Sequence, residues 1–196
     1  MLASHVIFGA YGFWLPNDPR GSWSTFVGSW ELFRYGGATK TTASRSLAAR
    51  PHDRGLRLAA KRALKRPAVV LSGAQALAVS RGFARYAERS ALAILACAIL
   101  PDHVHLVVGR HSIAVKQLVI QLKAAATLQL IEAGLHPFGD VAREDGRPPK
   151  CFGRGEWKVY LDTVEEVRRA IEYVEGNPEK EGKRRQRWSF VRRFEG

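Results

Sequence analysis

The stretch "AILPDHVHLVVGR" (98–110) decides how the chain folds. An apolar run, "ALAILACAIL" (91–100), meets a Pro-Asp turn and continues into "HVHLVVG" (103–109). Both flanks suit buried strands, and a tight turn between adjacent strands implies an antiparallel hairpin. Within the second strand, side chains alternate between faces. Val104, Leu106 and Val108 therefore share one face, the expected core face, and His103 and His105 share the other. Two imidazoles on one side of a strand can converge on one cation. They can equally be two unrelated surface histidines.

Working outward, "SHVIFGAY" (4–11) reads as a first strand, and "GFWLPNDPRGSWS" (12–24) as a loop packed down by Trp14 and Trp23. Residues 36–67 are basic and poor in large apolar side chains, an insertion departing from the core. Ser72 and Gln75 form a capping box that opens a helix. After the hairpin, Ser112 is the expected cap of a helix over 112–134, with Val115, Leu118, Val119, Leu122 and Ala126 on its apolar face and Gly134 as its stop. "EWKVYL" (156–161) alternates as a strand. Thr163 and Glu166 cap a last helix, which Pro178 is expected to end. A basic tail with interleaved aromatics fills 179–196. The order β, insertion, α, β, β, α, β, α implies an α+β fold: a ferredoxin-like sandwich, an antiparallel sheet with helices on one face and an insertion after the first strand. The whole of 1–196 is expected to form a single domain.

The 196 residues carry a formal net charge of +13, which points toward a polyanionic partner. The longest apolar run is too short for a membrane span of roughly 20 residues. The N-terminal stretch lacks a basic leader with a cleavage site. Cys97 and Cys151 form no metal-like pair, so structural zinc is disfavoured and a cytoplasmic location is expected. Candidate phosphate contacts are Arg45, Arg50, Arg54, Arg57 and Lys61 in the insertion, Arg110 after the strand, Lys116 and Lys123 on the long helix, and Lys183, Arg184, Arg185 and Arg187 in the tail. Trp188 and Phe190 could stack on unpaired bases. A solvated basic tail anchored by its aromatics reads equally well.

The last helix carries "AIEYVEGNPEKEG" (170–182). Tyr173 and Asn177 lie four apart, on one face about one turn from each other. Each has an ordinary reading: a core-edge aromatic with a wet hydroxyl, and a helix-ending amide. Taken with the histidine pair they make a functional set. A Mg²⁺ or Mn²⁺ ion held by His103, His105 and Asn177 would polarise a phosphate. Tyr173 would then be a nucleophile for phosphorus.

These segments resemble a known family. "PDHVHLVV" is similar to the His-hydrophobic-His motif of the HUH endonucleases. "YVEGNPEKEG" is similar to the tyrosine-helix motif of their single-tyrosine transposases, above all the REP-associated tyrosine transposases (RAYT-like). "HVIFGAYGFWLPNDPRGSWS" and the segment from Trp157 to Val191 resemble the same group. The resemblance implies a metal-dependent enzyme that nicks and joins single-stranded DNA, often beside a REP hairpin, through a 5′-phosphotyrosine intermediate, as in DNA transposition and recombination. It implies His103 and His105 as the histidine pair, Tyr173 as the nucleophile and Asn177 as the third metal position. The partner would be single-stranded or hairpin DNA and the chain a monomer or homodimer. Two alternatives remain: a non-catalytic, domesticated DNA-binding repressor, and a water-using metallophosphodiesterase.

Overall fold

The computed structural model describes residues 1–18, 27, 30–38, 51–141 and 143–196. The elements run β1 (Ala3–Gly9), α1 (Trp30–Phe33), α2 (Arg54–Arg62), α3 (Gly73–Ser90), β2 (Ile94–Ile99), β3 (His103–Gly109), α4 (Val115–Glu132), β4 (Trp157–Leu161) and α5 (Val164–Lys180). The four strands form one sheet in the order β2-β3-β1-β4. Every neighbouring pair is antiparallel. The β2–β3 hairpin closes as expected, with the Leu100 N–H donating to the His103 carbonyl at 2.8 Å.

Alternation sorts the side chains into two layers. Val6 and Phe8 of β1 and Val104, Leu106 and Val108 of β3 pack with Val79 and Phe83 of α3 and Leu118, Leu122 and Ala126 of α4. Each fully buried Leu or Phe here contributes roughly 1.5–3 kcal/mol. At Gly82 of α3 an added Cβ would lie 2.6 Å from the Ala125 carbonyl oxygen of α4, so glycine permits the close crossing of these two helices. On the other face, Leu95, Ala96 and Ala98 of β2 and Val107 of β3 pack with Val167 and Val174 of α5. The α+β antiparallel sheet is as expected, but helices cover both faces. Helical periodicity identifies an apolar stripe, not the sheet face that receives it.

Local signals fix several boundaries. Ser72 caps α3 and Thr163 caps α5 through full capping boxes. Ser112 does not cap α4: the N-cap is Ala114, with no side-chain bond. Pro178 does not end α5, which runs on to Lys180. The helix stops where Gly182 takes φ +68°, with Lys183 N–H donating to the Pro178 carbonyl and Gly182 N–H to that of Glu179. That is a Schellman stop, needing a left-handed residue that only glycine adopts without cost. The extra turn carries Lys180 beside Tyr173, and Glu181 caps it.

The insertion is not wholly irregular. Its α2 is capped by Asp53, whose carboxylate accepts from the Leu56 N–H at 2.8 Å and whose carbonyl accepts from the Asn17 amide at 2.6 Å. Arg45, Arg50 and Trp23 lie outside the described residues. The tail is folded back along β2. The Gln186 side chain accepts from Ile99 N–H at 2.8 Å and donates to the Ile99 carbonyl at 2.7 Å. Arg192 N–H donates to the Ile94 carbonyl at 2.8 Å. Among the described residues no helix is long and apolar enough to cross a membrane.

Candidate active site

The face of β3 opposite Val104 and Leu106 carries His103 and His105, and both are buried. The register of β1 on β3 pairs Ile7 with His105 and His5 with Val107. His5 is therefore a diagonal neighbour of His105 on the same face. Its Nε2 lies 3.2 Å from Nδ1 of His105, with the rings stacked at 5.5 Å. His103 is held from both sides. Its Nδ1 lies 2.7 Å from a carboxylate oxygen of Asp102, and its ring stacks on Phe13 at 4.5 Å. With each Nδ1 engaged, Nε2 of His103 and of His105 is the nitrogen left for a cation.

Burial decides the charge of this cluster. It lowers the His5 imidazole to about 4. It holds His105 well below the usual histidine range, aided by His103, His5 and Lys180. Both rings are therefore neutral near pH 7, the state in which imidazole binds metals.

α5 lies over this face and brings Tyr173 to it. The Tyr173 ring centroid is 5.9 Å from that of His105 and 5.7 Å from that of His5. Although packed on the histidines, Tyr173 is 40% exposed. Partial burial raises its hydroxyl above the ordinary phenol value, opposed by the Asn177 side chain. Lys180, two turns along α5 from Tyr173, places Nζ 4.1 Å from the ring centroid. Asn177 itself is buried, with its side chain beside the Tyr173 hydroxyl.

One group of possible ligands includes a histidine of the pair. Asp102, His103 and Glu181 each offer a ligand atom within 4.8 Å of the others. An imidazole nitrogen with two carboxylates makes a mixed nitrogen and oxygen set, suited to Mn²⁺ or Mg²⁺. Sequence reasoning did not single out His5, Phe13, Lys180 or Glu181. His5 had a visible signal, a polar residue alternating with Val6 and Phe8 in the first strand, but only the strand pairing shows what it meets.

The expected DNA contacts divide. Arg110, Lys116, Lys183, Arg184, Arg185 and Arg187 are exposed. Arg185 pairs with Glu175 at 3.7 Å. Arg110 follows the last residue of β3, at the opposite end of the strand from His103. Two candidates have other contacts. Lys123 donates to the Gly153 and Gly155 carbonyls at 3.0 and 2.6 Å, and burial lowers its amine to about 8. It ties the loop before β4 to α4. Trp188 stacks on Phe190 and packs against the α3/α4 core.

No family model matches the chain, and no curated protein matches it. Several solved structures are similar to it, two of them transposases. One is a provisionally assigned transposase from Deinococcus radiodurans R1, 14% identical with a TM-score of 0.42, covering 88% of this chain and 89% of that one. The other is a REP-associated tyrosine transposase bound to a REP hairpin, 16% identical with a TM-score of 0.44. That match covers 61% of this chain and 64% of the other.

Proposed function

We propose that the chain is a metal-dependent nicking and joining enzyme for single-stranded DNA, with Tyr173 as its covalent nucleophile. One observation carries this reading: a part-exposed tyrosine on α5 packs within 6 Å of two neutral, buried histidines on two neighbouring strands. Neither motif alone would suggest it. A water-using phosphodiesterase needs no tyrosine there, and a binding module needs no buried imidazoles.

His103 and His105 would hold the ion through Nε2, with Asp102, Glu181 or Asn177 completing the set. Bound there, the ion supplies charge neutralisation at a non-bridging phosphate oxygen. Tyr173 Oη attacks phosphorus, losing its proton to solvent, and forms the 5′-phosphotyrosine bond. The bond from phosphorus to the 3′ oxygen breaks, and that oxygen takes up a proton to leave as a 3′-hydroxyl. A second 3′-hydroxyl reverses these steps and joins new ends without an external energy source. Because Tyr173 starts as a phenol held above its usual range, initial rates should rise with pH through about 6 to 8.5. The exposed Lys183, Arg184 and Arg187 would contact DNA phosphates, which makes affinity fall with salt.

The test is incubation with labelled single-stranded hairpin DNA and Mn²⁺, followed by denaturing electrophoresis. The expected result is a covalent adduct that Tyr173→Phe abolishes while DNA binding persists. Cleavage without an adduct would assign the chain to water-using phosphodiesterases. Binding without cleavage across many hairpins would make it a non-catalytic DNA-binding protein.

A further inference from the structure

The bond between His5 and His105 fixes more than position. A hydrogen bond between two neutral imidazole nitrogens contains one proton, so it couples the tautomers of both rings. If His5 Nε2 is the donor, His105 Nδ1 is the acceptor and the ring proton of His105 sits on Nε2. That nitrogen then has no lone pair for a cation. If His105 Nδ1 is the donor, its Nε2 is unprotonated and able to ligate.

His103 shows which arrangement the site is built for. Its Nδ1 faces a carboxylate oxygen of Asp102 at 2.7 Å, and an ionised carboxylate only accepts. In its neutral form His103 therefore carries its proton on Nδ1 and presents a bare Nε2. His105 has its Nδ1 3.2 Å from Nε2 of His5. We infer that His5 is a positioning residue, accepting the Nδ1 proton of His105 and so presenting the Nε2 lone pair of His105 to the cation. His5 does not touch the ion. It does for His105 what Asp102 does for His103: a partner on the far ring nitrogen fixes the tautomer and orients the ring.

The acceptor is an imidazole for a physical reason. Position 5 is buried beneath α5, packed edge-on against Trp157 and Tyr173. A carboxylate there would lose its hydration, whereas a neutral ring accepts a proton at far lower cost. Asp102 lies at the turn, a third exposed, and keeps part of its hydration.

The inference rests on the cation reading above, and its test separates the two. Nitrogen shifts of ¹⁵N-histidine-labelled, metal-free protein report the tautomer of His105 directly. Mn²⁺ affinity without DNA, by calorimetry or electron paramagnetic resonance, reports the consequence. The expected results are a proton on Nδ1 of His105 in wild type, and Mn²⁺ binding weakened about 10- to 100-fold by His5→Phe. His5→Gln, whose side-chain carbonyl can accept the same proton, should bind Mn²⁺ within a few-fold of wild type. A purely packing role for His5 predicts the reverse ranking, since phenylalanine fills the site better than glutamine. A wild-type His105 protonated on Nε2, or unchanged Mn²⁺ affinity in His5→Phe, overturns the inference. If His5→Phe does not fold, the wild-type shifts and the His5→Gln affinity still decide it. Failure of wild type to bind Mn²⁺ overturns the cation reading, while the nitrogen shifts still decide the tautomer on their own.

Discussion

The two faces of the sheet are built from the same strands and do opposite work. Under α3 and α4, β1 and β3 present Val6, Phe8, Val104, Leu106 and Val108, a wholly apolar layer. Under α5, one residue along each strand, they present His5, His103 and His105. Strand alternation lets one pair of neighbouring strands serve both faces, so stability is concentrated on one and polar groups on the other. The polar face is buried too, which is why His5 and His105 stay neutral.

The largest effect that tests this division is a pair of truncations. Phe83→Ala, beneath the apolar face, should lower unfolding free energy by about 3–5 kcal/mol in urea titrations. His103→Ala should cost far less stability yet lower Mn²⁺-dependent cleavage by 100-fold or more, on the order expected for loss of an essential cation ligand. If His103→Ala destabilises as much as Phe83→Ala, the histidine face is a second structural core and the division fails.

Next is acid sensitivity. His5 is held near 4 when folded and returns toward about 6.5 when unfolded. The unfolded chain then binds more protons, so stability is full above about 6.5 and is lost as pH falls toward 4. From His5 alone the loss is about 3 kcal/mol at pH 4. The downward shift of His105 adds in the same direction. His5→Phe should flatten this part of the pH profile of urea midpoints, and an unchanged slope would show that His5 is not the buried neutral group described.

How much of this was legible follows from what local sequence can encode. β3 could be read to its end residues, because "HVHLVVG" alternates and is flanked by a turn and a glycine. The capping boxes of α3 and α5 were equally local signals. The face chosen by α5 was not legible, because an apolar stripe fits either side of a sheet. His5 was visible as a strand residue, but its bond to His105 depends on a pairing across 100 positions. Trp188 looks the same in sequence whether it stacks on a base or on Phe190. Pro178 signals a helix end through its missing N–H, yet the Schellman stop at Gly182 lies four residues on.

Lys123 tests the boundary between the protein's own core and its DNA surface. Lys123→Met removes two bonds to loop carbonyls and should cost about 1–3 kcal/mol of stability. It should leave the salt dependence of DNA binding unchanged. Arg184→Ala and Arg187→Ala should instead each reduce the slope of log affinity against log salt by about 1, with little change in stability. A reduced slope in Lys123→Met would return that amine to the DNA surface.

The smallest expected effect concerns the sheet edge. β2 is one of the two outer strands, and its unpaired backbone groups would offer a template for another chain. The Gln186 amide meets both the N–H and the carbonyl of Ile99, as a neighbouring strand would. Farther along, Val191 bridges Ile94 in parallel sense. The tail thus covers the edge at both ends of β2 with few residues. Gln186→Ala should cost about 1–2 kcal/mol, two ordinary hydrogen bonds on partly buried groups. Hydrogen exchange should show faster opening at Ile99 and leave β3 protected, since β3 is paired on both sides. Uniform loss of protection across the sheet would mean that the tail is part of the global core, and that the α5 face depends on it more than its two edge contacts imply.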